Sequence, residues 1–94
     1  MNLGFIGTGK IASSVISGIC NSSTKYNKIT ISSRNRKISK ELKKKFKRIY
    51  IEKDNQKIVN NSNWIFLAVT PTVGERIIKK LKFRSSQIIV SFIS

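Results

Sequence analysis

A glycine loop near the start of the chain carries the first residues that could do chemistry. The run Gly7-Thr8-Gly9-Lys10-Ile11-Ala12 has the spacing G-x-G-x-x-[G/A], which binds dinucleotide phosphates when a strand enters the loop and a helix leaves it. The first glycine makes the tight turn, the second admits a pyrophosphate, and the third small residue allows close packing of helix and strand. The start of the helix adds free N–H groups. The loop predicts dinucleotide binding; the alternative is a glycine turn that binds nothing.

A second loop bears on which dinucleotide is bound. An NAD site usually has Asp or Glu about 20 residues further on, accepting a hydrogen bond from the ribose 2′-OH. This chain has no acidic residue between Gly9 and Glu41, and Ser32-Ser33-Arg34-Asn35-Arg36 offers two hydroxyls and two guanidinium groups instead. Charge-assisted hydrogen bonds contribute about 1.5–3 kcal/mol each. We therefore expect NADP(H), with NAD(H) as the alternative cofactor. An ordinary basic loop is the competing interpretation. Lys10 in the first loop likewise has two interpretations, as a charge beside the phosphates or as a solvated lysine in the first turn of the helix.

The elements that must position these loops follow from the hydrophobic pattern. Apolar and β-branched runs predict strands, and apolar residues at i, i+3, i+4 and i+7 predict helices. Asp54 is expected to cap a short third helix. The predicted strands span 2–6, 28–32, 49–51, 64–69 and 87–93, and the predicted helices span 10–21, 38–47, 55–60 and 73–81. This alternation predicts an α/β fold built on a doubly wound parallel sheet.

Composition limits the class of protein further. The 94 residues contain one cysteine and no histidine. They allow one small domain and exclude zinc fingers and catalysis by Ser-His-Asp or Cys-His groups within this chain. No apolar run reaches the roughly 18 residues of a membrane helix. The lone Cys20 and the lack of a basic leader before the first apolar stretch predict a cytoplasmic protein with no membrane partner.

The positive charge of the chain has two interpretations. The formal charge is +15, and nine of residues 34–48 are basic. Such a run can attract phosphates or nucleic acid, or it can be a solvated helix face in a chain whose lysine content reflects an AT-rich coding bias. Proteins that bind single strands stack the bases on exposed aromatic side chains, which are sparse in this run. We therefore expect nucleic acid not to be a specific partner.

With these residues assembled, the chain resembles the N-terminal cofactor domain of the pyrroline-5-carboxylate reductase family. The similarity spans essentially the whole chain. The segments that carry it are Gly4-Phe5-Ile6-Gly7-Thr8-Gly9, Ser17-Gly18, Ile31-Ser32-Ser33-Arg34-Asn35, Asp54-Asn55, W-I-F-L-A-V-T-P at 64–71 and Ile89-Val90-Ser91. Two positions depart from the family's pattern, because Thr70 stands at a usual Lys and Ser94 at a usual Ala.

The resemblance implies a Rossmann domain over residues 1–94 that binds NADPH or NADH, as the first part of a longer two-domain oxidoreductase. In the family a C-terminal helical domain, which this chain lacks, forms the homo-oligomer and completes the site for a small imine substrate. Hydride passes from the nicotinamide to the C=N carbon of pyrroline-5-carboxylate and gives L-proline. The chain itself is then expected to carry no catalytic residue and no metal.

The resemblance also implies positions for the cofactor contacts. We expect four groups: Ile6, Gly7, Thr8, Gly9, Lys10 and Ile11 at the pyrophosphate; Ser33 and Arg34 at the adenosine 2′-phosphate; Asn55 at the adenosine ribose; and Ala68, Val69, Thr70 and Pro71 beside the nicotinamide ribose. Residues 92–94 would approach the nicotinamide.

Two other functions remain open from the sequence. A related NADP-dependent oxidoreductase, acting on hydroxy acids or on the deazaflavin F420, would share both loops and differ in the residues that contact substrate. A basic, non-catalytic module holding nucleotide or nucleic acid would bind DNA with a steep salt dependence and have no affinity for NADPH.

Overall fold

One parallel five-stranded sheet and four helices make up the chain in the computed structural model, which describes residues 1–92. The strands are β1 (Asn2–Ile6), β2 (Lys28–Ser32), β3 (Ile49–Glu52), β4 (Trp64–Leu67) and β5 (Ile88–Ser91). The helices are α1 (Lys10–Cys20), α2 (Arg36–Lys45), α3 (Asn55–Asn60) and α4 (Pro71–Lys80). None of the helices in this part of the chain is long and apolar enough to cross a lipid bilayer.

The strand order shows that the sheet is doubly wound. The order is β3-β2-β1-β4-β5, and every neighbouring pair is parallel. The chain moves outward from β1 through β2 to β3, then crosses back to place β4 on the other side of β1. This reversal between β1 and β4 is the switch point at which ligands bind in open α/β sheets. The predicted α/β, Rossmann-like fold is confirmed.

Helices cover both faces of the sheet, which explains the apolar character of the central strands. On one face, Ala12 and Ile16 of α1 and Leu42 of α2 pack against the sheet. On the other face, Ile58 of α3 forms a second core cluster with Ile65 and Leu67 of β4, and Ile77 of α4 packs against this cluster. The central strand β1 contributes to both cores and is thereby fixed between the helical layers, so the loop that leaves it starts from a rigid point.

The loop after β4 is longer than the sequence pattern predicts. The strand ends at Leu67 rather than at residue 69, although the Ala68 N–H still donates to the Ile6 carbonyl at 2.9 Å. Pro71 does not merely stop the strand; it is the first residue of α4, where its missing N–H costs nothing and its fixed φ suits the helix. Residues 68–70 are therefore a loop at the carboxyl edge of the sheet. The last residue of the predicted fifth strand, 93, lies outside the described residues.

The predicted cap of α3 is confirmed. The Asp54 Oδ1 atom accepts a hydrogen bond from the Gln56 N–H at 2.9 Å. Because α3 has only six residues, we expect Asp54→Ala to lower the free energy of unfolding by about 1 kcal/mol, measured by urea denaturation. The Asp54→Asn variant keeps an acceptor oxygen and should retain most of that stability. An equal loss in both variants would mean that the cap contributes little.

Candidate functional site

A cleft of about 950 Å³ opens at the carboxyl edge of the sheet. It is bordered by the glycine loop after β1, the loop after β2 and the loop after β4. A smaller cleft of about 250 Å³ adjoins it and reaches the end of β3 and the start of α3. The two clefts share Gly7, Arg34 and Val69. Together they form a continuous surface across the switch point of the sheet, which we call the edge cleft.

All of the cofactor residues predicted from the sequence border the edge cleft. The larger part is bordered by Gly7, Thr8, Gly9, Lys10, Ile11, Arg34, Ala68, Val69, Thr70 and Pro71. The smaller part adds Ile6, Ser33 and Asn55. Phe92 borders the larger part, and the predicted approach of residues 93 and 94 to the nicotinamide lies outside the described residues. The fold thus brings four separated segments together, while their contact with a cofactor remains a prediction.

Gly7 makes the turn that closes the loop against the neighbouring strand. Its φ is +92°, a conformation that side chains with a Cβ rarely adopt. A Cβ there would also lie far inside van der Waals contact with the carbonyl oxygen of Ala68. Gly7 is therefore needed by the fold itself, because the glycine loop and the loop after β4 meet at this residue.

Gly9 leaves room for a ligand rather than for another part of the chain. It is the N-cap of α1 and has an extended backbone. A Cβ built on it would meet no atom of the chain within 4 Å, so this side of the loop is open. The first N–H groups of a helix have no partner within the helix and favour an anion. An open backbone beside those donors fits a pyrophosphate group.

Ala12 sets how closely α1 approaches the sheet. Its side chain is fully buried in the core cluster that contains Phe5 of β1. A larger residue would push the helix start away from the strand, so the small third residue of the motif has the packing role predicted for it. Ile11, one position earlier, is exposed at the cleft.

The loop after β2 offers fewer free hydroxyls than its sequence indicates. Ser32 is buried, and its Oγ accepts a hydrogen bond from the Gly7 N–H at 2.9 Å. Ser32 also borders the smaller cleft, but its hydroxyl is already paired with the glycine loop, so a contact of Ser32 and Ser33 with a 2′-phosphate stays a prediction. Ser33 is half-buried at the smaller cleft, and Arg34 is exposed where both clefts meet. Arg36 borders the larger cleft.

Lys53 is a site residue that sequence reasoning missed. It follows β3 and is exposed beside Ser33, Arg34 and Asn55 at the smaller cleft. Nothing in the sequence around Lys53 connects it with the loop after β2. The predicted parallel sheet could have indicated it, because residues that directly follow parallel strands meet at the same edge of the sheet.

The charge of the edge cleft is positive. Lys10, Arg34 and Arg36 border the larger part, and Arg34 and Lys53 border the smaller. Within residues 1–92, none of the acidic side chains borders either part. The site is thus complementary to a ligand that carries several phosphates.

These features can be compared with known proteins. A family model described as "NADP oxidoreductase coenzyme F420-dependent" matches residues 2–94. The chain belongs to this family. No curated protein matches the sequence. Membership in the family and the geometry of the edge cleft support a domain of the oxidoreductase type with a site that suits a nicotinamide dinucleotide.

A solved structure supports the same conclusion. The chain is similar to a 1-pyrroline-5-carboxylate reductase from the human pathogen Streptococcus pyogenes, with a TM-score of 0.79 and 26% sequence identity. The match covers 100% of this chain and 34% of that protein, so the chain spans about a third of the length of its relative. The expected resemblance to pyrroline-5-carboxylate reductases is confirmed.

Proposed function

We propose that the chain holds NADPH for an imine reductase that converts pyrroline-5-carboxylate to L-proline in the cytoplasm. The observation that carries the cofactor choice is Arg34, which lies where the two clefts meet, in a loop after β2 that has no acidic residue. The choice of substrate is supported by the similarity to the Streptococcus pyogenes reductase. The lone Cys20 is consistent with a reducing compartment.

In this proposal each segment of the edge cleft has a defined task. NADPH, when bound, supplies the hydride for reduction of a C=N bond. The first N–H groups of α1 and the open backbone of Gly9 hold the pyrophosphate. Ser33 and Arg34 bind the 2′-phosphate. Asn55 borders the smaller cleft and binds the adenosine ribose. Residues 68–71 orient the nicotinamide half. We further propose that the imine substrate is bound, and a homo-oligomer formed, through a helical domain of the kind found in the family.

Parallel calorimetric titration of the 94-residue chain with NADPH and NADH at fixed salt tests cofactor binding. One net charge-assisted contact to the 2′-phosphate should make NADPH about 10- to 100-fold tighter. Equal affinities would remove the argument for NADP while keeping the dinucleotide site. Failure of a folded chain to bind either cofactor, together with salt-sensitive binding to mixed-sequence DNA, would favour a basic module that is not a reductase.

A chimeric enzyme tests the reaction. The matched third of the Streptococcus pyogenes reductase is replaced by this chain, and oxidation of NADPH is followed with and without pyrroline-5-carboxylate. We expect turnover that depends on the imine and is lost when Gly9 is replaced by alanine. A folded chimera that binds NADPH but leaves pyrroline-5-carboxylate unreduced would contradict the proposal.

The Lys53→Gln variant tests the cation that the structure adds to the smaller cleft. We expect NADPH affinity to fall about two- to fivefold, as for an exposed ionic contact, with no change for NADH. Lys57 on α3 is also exposed and borders neither cleft, so Lys57→Gln is the matched control for the loss of one charge. A similar fall in both variants would assign the effect to net charge rather than to the site.

The description of the family favours a second candidate, because it names coenzyme F420. The same edge cleft would then hold NADP while hydride is exchanged with the deazaflavin instead of an imine. Oxidised F420 and pyrroline-5-carboxylate can be compared as acceptors of the NADPH hydride in the same chimera and in a full-length family member that contains this domain. Turnover with the deazaflavin alone would favour this candidate over the imine reductase.

A further inference from the structure

A chain of buried hydroxyl groups lies beneath the two phosphate loops. The Ser39 Oγ donates to the Ser32 carbonyl oxygen at 2.8 Å, and the Ser32 Oγ accepts from the Gly7 N–H at 2.9 Å. The Thr8 Oγ1 approaches the Ser39 Oγ at 3.5 Å. The exposed fractions of Thr8, Ser32 and Ser39 are 3%, 5% and 1%. These contacts join α2, the end of β2 and the glycine loop; Thr8 and Ser32 also border the edge cleft, whereas Ser39 borders neither part of it.

Ser39 occupies a position on α2 where an apolar residue is normally expected. The buried side of this lysine-rich helix carries Leu42 together with Ser39. Burying a hydroxyl costs free energy unless it is hydrogen-bonded, and the shortest bond of Ser39 goes to a carbonyl outside its own helix. The side chain therefore contributes a specific connection in place of apolar packing.

Ser32 transmits this connection to both loops. Its carbonyl group directly precedes Ser33 and Arg34, and its hydroxyl holds the N–H of Gly7. Fixing the carbonyl fixes the direction in which the loop after β2 leaves the strand. The Ser32 hydroxyl holds the turn of the glycine loop through the Gly7 N–H, and the contact between Thr8 and Ser39 links α2 to the same loop.

We propose that Ser39 is a positioning residue for the cofactor, which acts through Ser32 to hold the glycine loop and the loop after β2 in one arrangement. The inference rests on the proposed binding of NADPH at the edge cleft. Ser39 touches no part of that cofactor. Its effect is on the geometry of the groups that do, so its loss weakens NADPH and NADH together, whereas the loss of Arg34 affects NADPH alone.

Ser62 provides a matched control for the loss of a buried serine hydroxyl. It is 1% exposed, like Ser39, and its Oγ donates to the Ile58 carbonyl at 2.6 Å. It precedes β4, at the amino end of the strand and away from the edge cleft. Each serine-to-alanine change removes one short buried hydrogen bond to a carbonyl oxygen, and Ser39→Ala also removes the longer 3.5 Å contact with Thr8, so the two variants should lose a similar amount of stability.

Binding and hydrogen exchange are measured on the wild-type, Ser39→Ala and Ser62→Ala chains, well below the unfolding midpoint of each. We expect both cofactors to bind Ser39→Ala about 3- to 10-fold more weakly, the scale of one hydrogen bond, and Ser62→Ala to bind as the wild type does. Without cofactor, the Gly7 amide should exchange about tenfold faster in Ser39→Ala and at the wild-type rate in Ser62→Ala. This last readout does not depend on the proposed function.

The possible results separate the two ideas. Weaker binding and faster Gly7 exchange in Ser39→Ala alone support the positioning role. Unchanged Gly7 exchange in Ser39→Ala, or an equal loss of affinity in Ser62→Ala, overturns it and leaves Ser39 with a purely structural role. If the wild-type chain binds neither cofactor, the proposed function fails, and the Gly7 exchange rates still decide whether Ser39 holds the loop.

Discussion

Replacing Gly9 with alanine is expected to abolish cofactor binding while the chain remains folded. The backbone of Gly9 is extended, so alanine is tolerated, and the new methyl group would meet no atom of the chain within 4 Å. It would instead occupy the space in which the pyrophosphate approaches the start of α1. Losing two charge-assisted hydrogen bonds to the phosphates would weaken both NADPH and NADH by at least about 100-fold.

The same substitution elsewhere on α1 is the control. A Cβ on Gly18 also meets nothing within 4 Å, but this residue lies in the last turns of the helix, away from the edge cleft. Gly18→Ala should bind both cofactors normally and gain up to about 1 kcal/mol of stability from its helix propensity. Calorimetry and thermal unfolding of the two variants separate binding from folding. Normal affinity in Gly9→Ala would mean that the glycine loop is only a turn.

Gly7→Ala would report on a different property, although it lies in the same motif. Because Gly7 has a positive φ and lies close to Ala68, a side chain at this position is expected to destabilise the fold before it affects ligand binding. The two glycines of one short motif thus have separable roles, with Gly7 required for folding and Gly9 for access of the ligand. The sequence pattern alone assigns these roles by analogy, whereas the contacts around each Cβ assign them from this chain's own geometry.

The parts of the fold that could be predicted depend on short-range patterns. The glycine loop, the apolar face of α1 and the cap at Asp54 each lie within a few residues along the chain, so spacing alone identifies them. The apolar run of β5 was harder to interpret. It has the composition of a buried strand, yet Ile88 and Ile89 are each 45% exposed, because β5 is the edge of the described sheet and pairs only with β4.

The parts of the site that could not be predicted depend on contacts between distant segments. Ser32 and Gly7 are 25 positions apart, and only the pairing of β1 with β2 makes the buried hydroxyl of Ser32 a partner of the glycine loop. From the sequence, Ser32 is indistinguishable from its neighbour Ser33 as a phosphate ligand. The alternation of side chains along a strand decides which of the two points inward. Lys53 joins the site for a similar reason, since β3 ends beside β2.

Replacing Arg34 with alanine is expected to remove the preference for NADPH over NADH. Arg34 borders both parts of the edge cleft, directly after the half-buried Ser33. In the proposed binding mode its guanidinium group holds the 2′-phosphate through charge-assisted hydrogen bonds. NADPH should bind about 10- to 100-fold more weakly in the variant, and NADH, which lacks that phosphate, should change less than about twofold.

A matched arginine separates this contact from the general positive charge of the chain. Arg76 is exposed on α4 and borders neither cleft, so Arg76→Ala lowers the net charge by the same amount. With +15 charges on 94 residues, long-range attraction of any phosphate is expected, and it weakens as salt is added. Titrations at low and physiological salt should show that Arg76→Ala changes both cofactors slightly and equally.

The comparison of the two arginines decides how the cofactor is selected. If Arg34→Ala loses the NADPH preference at both salt concentrations and Arg76→Ala does not, selection is local and belongs to the loop after β2. If the two variants behave alike, selection arises from the field of the whole chain, and the loop is only one part of a basic surface. Such a result would be compatible with the dinucleotide site, but it would attribute the NADPH preference to the lysine-rich composition of the whole chain rather than to Arg34.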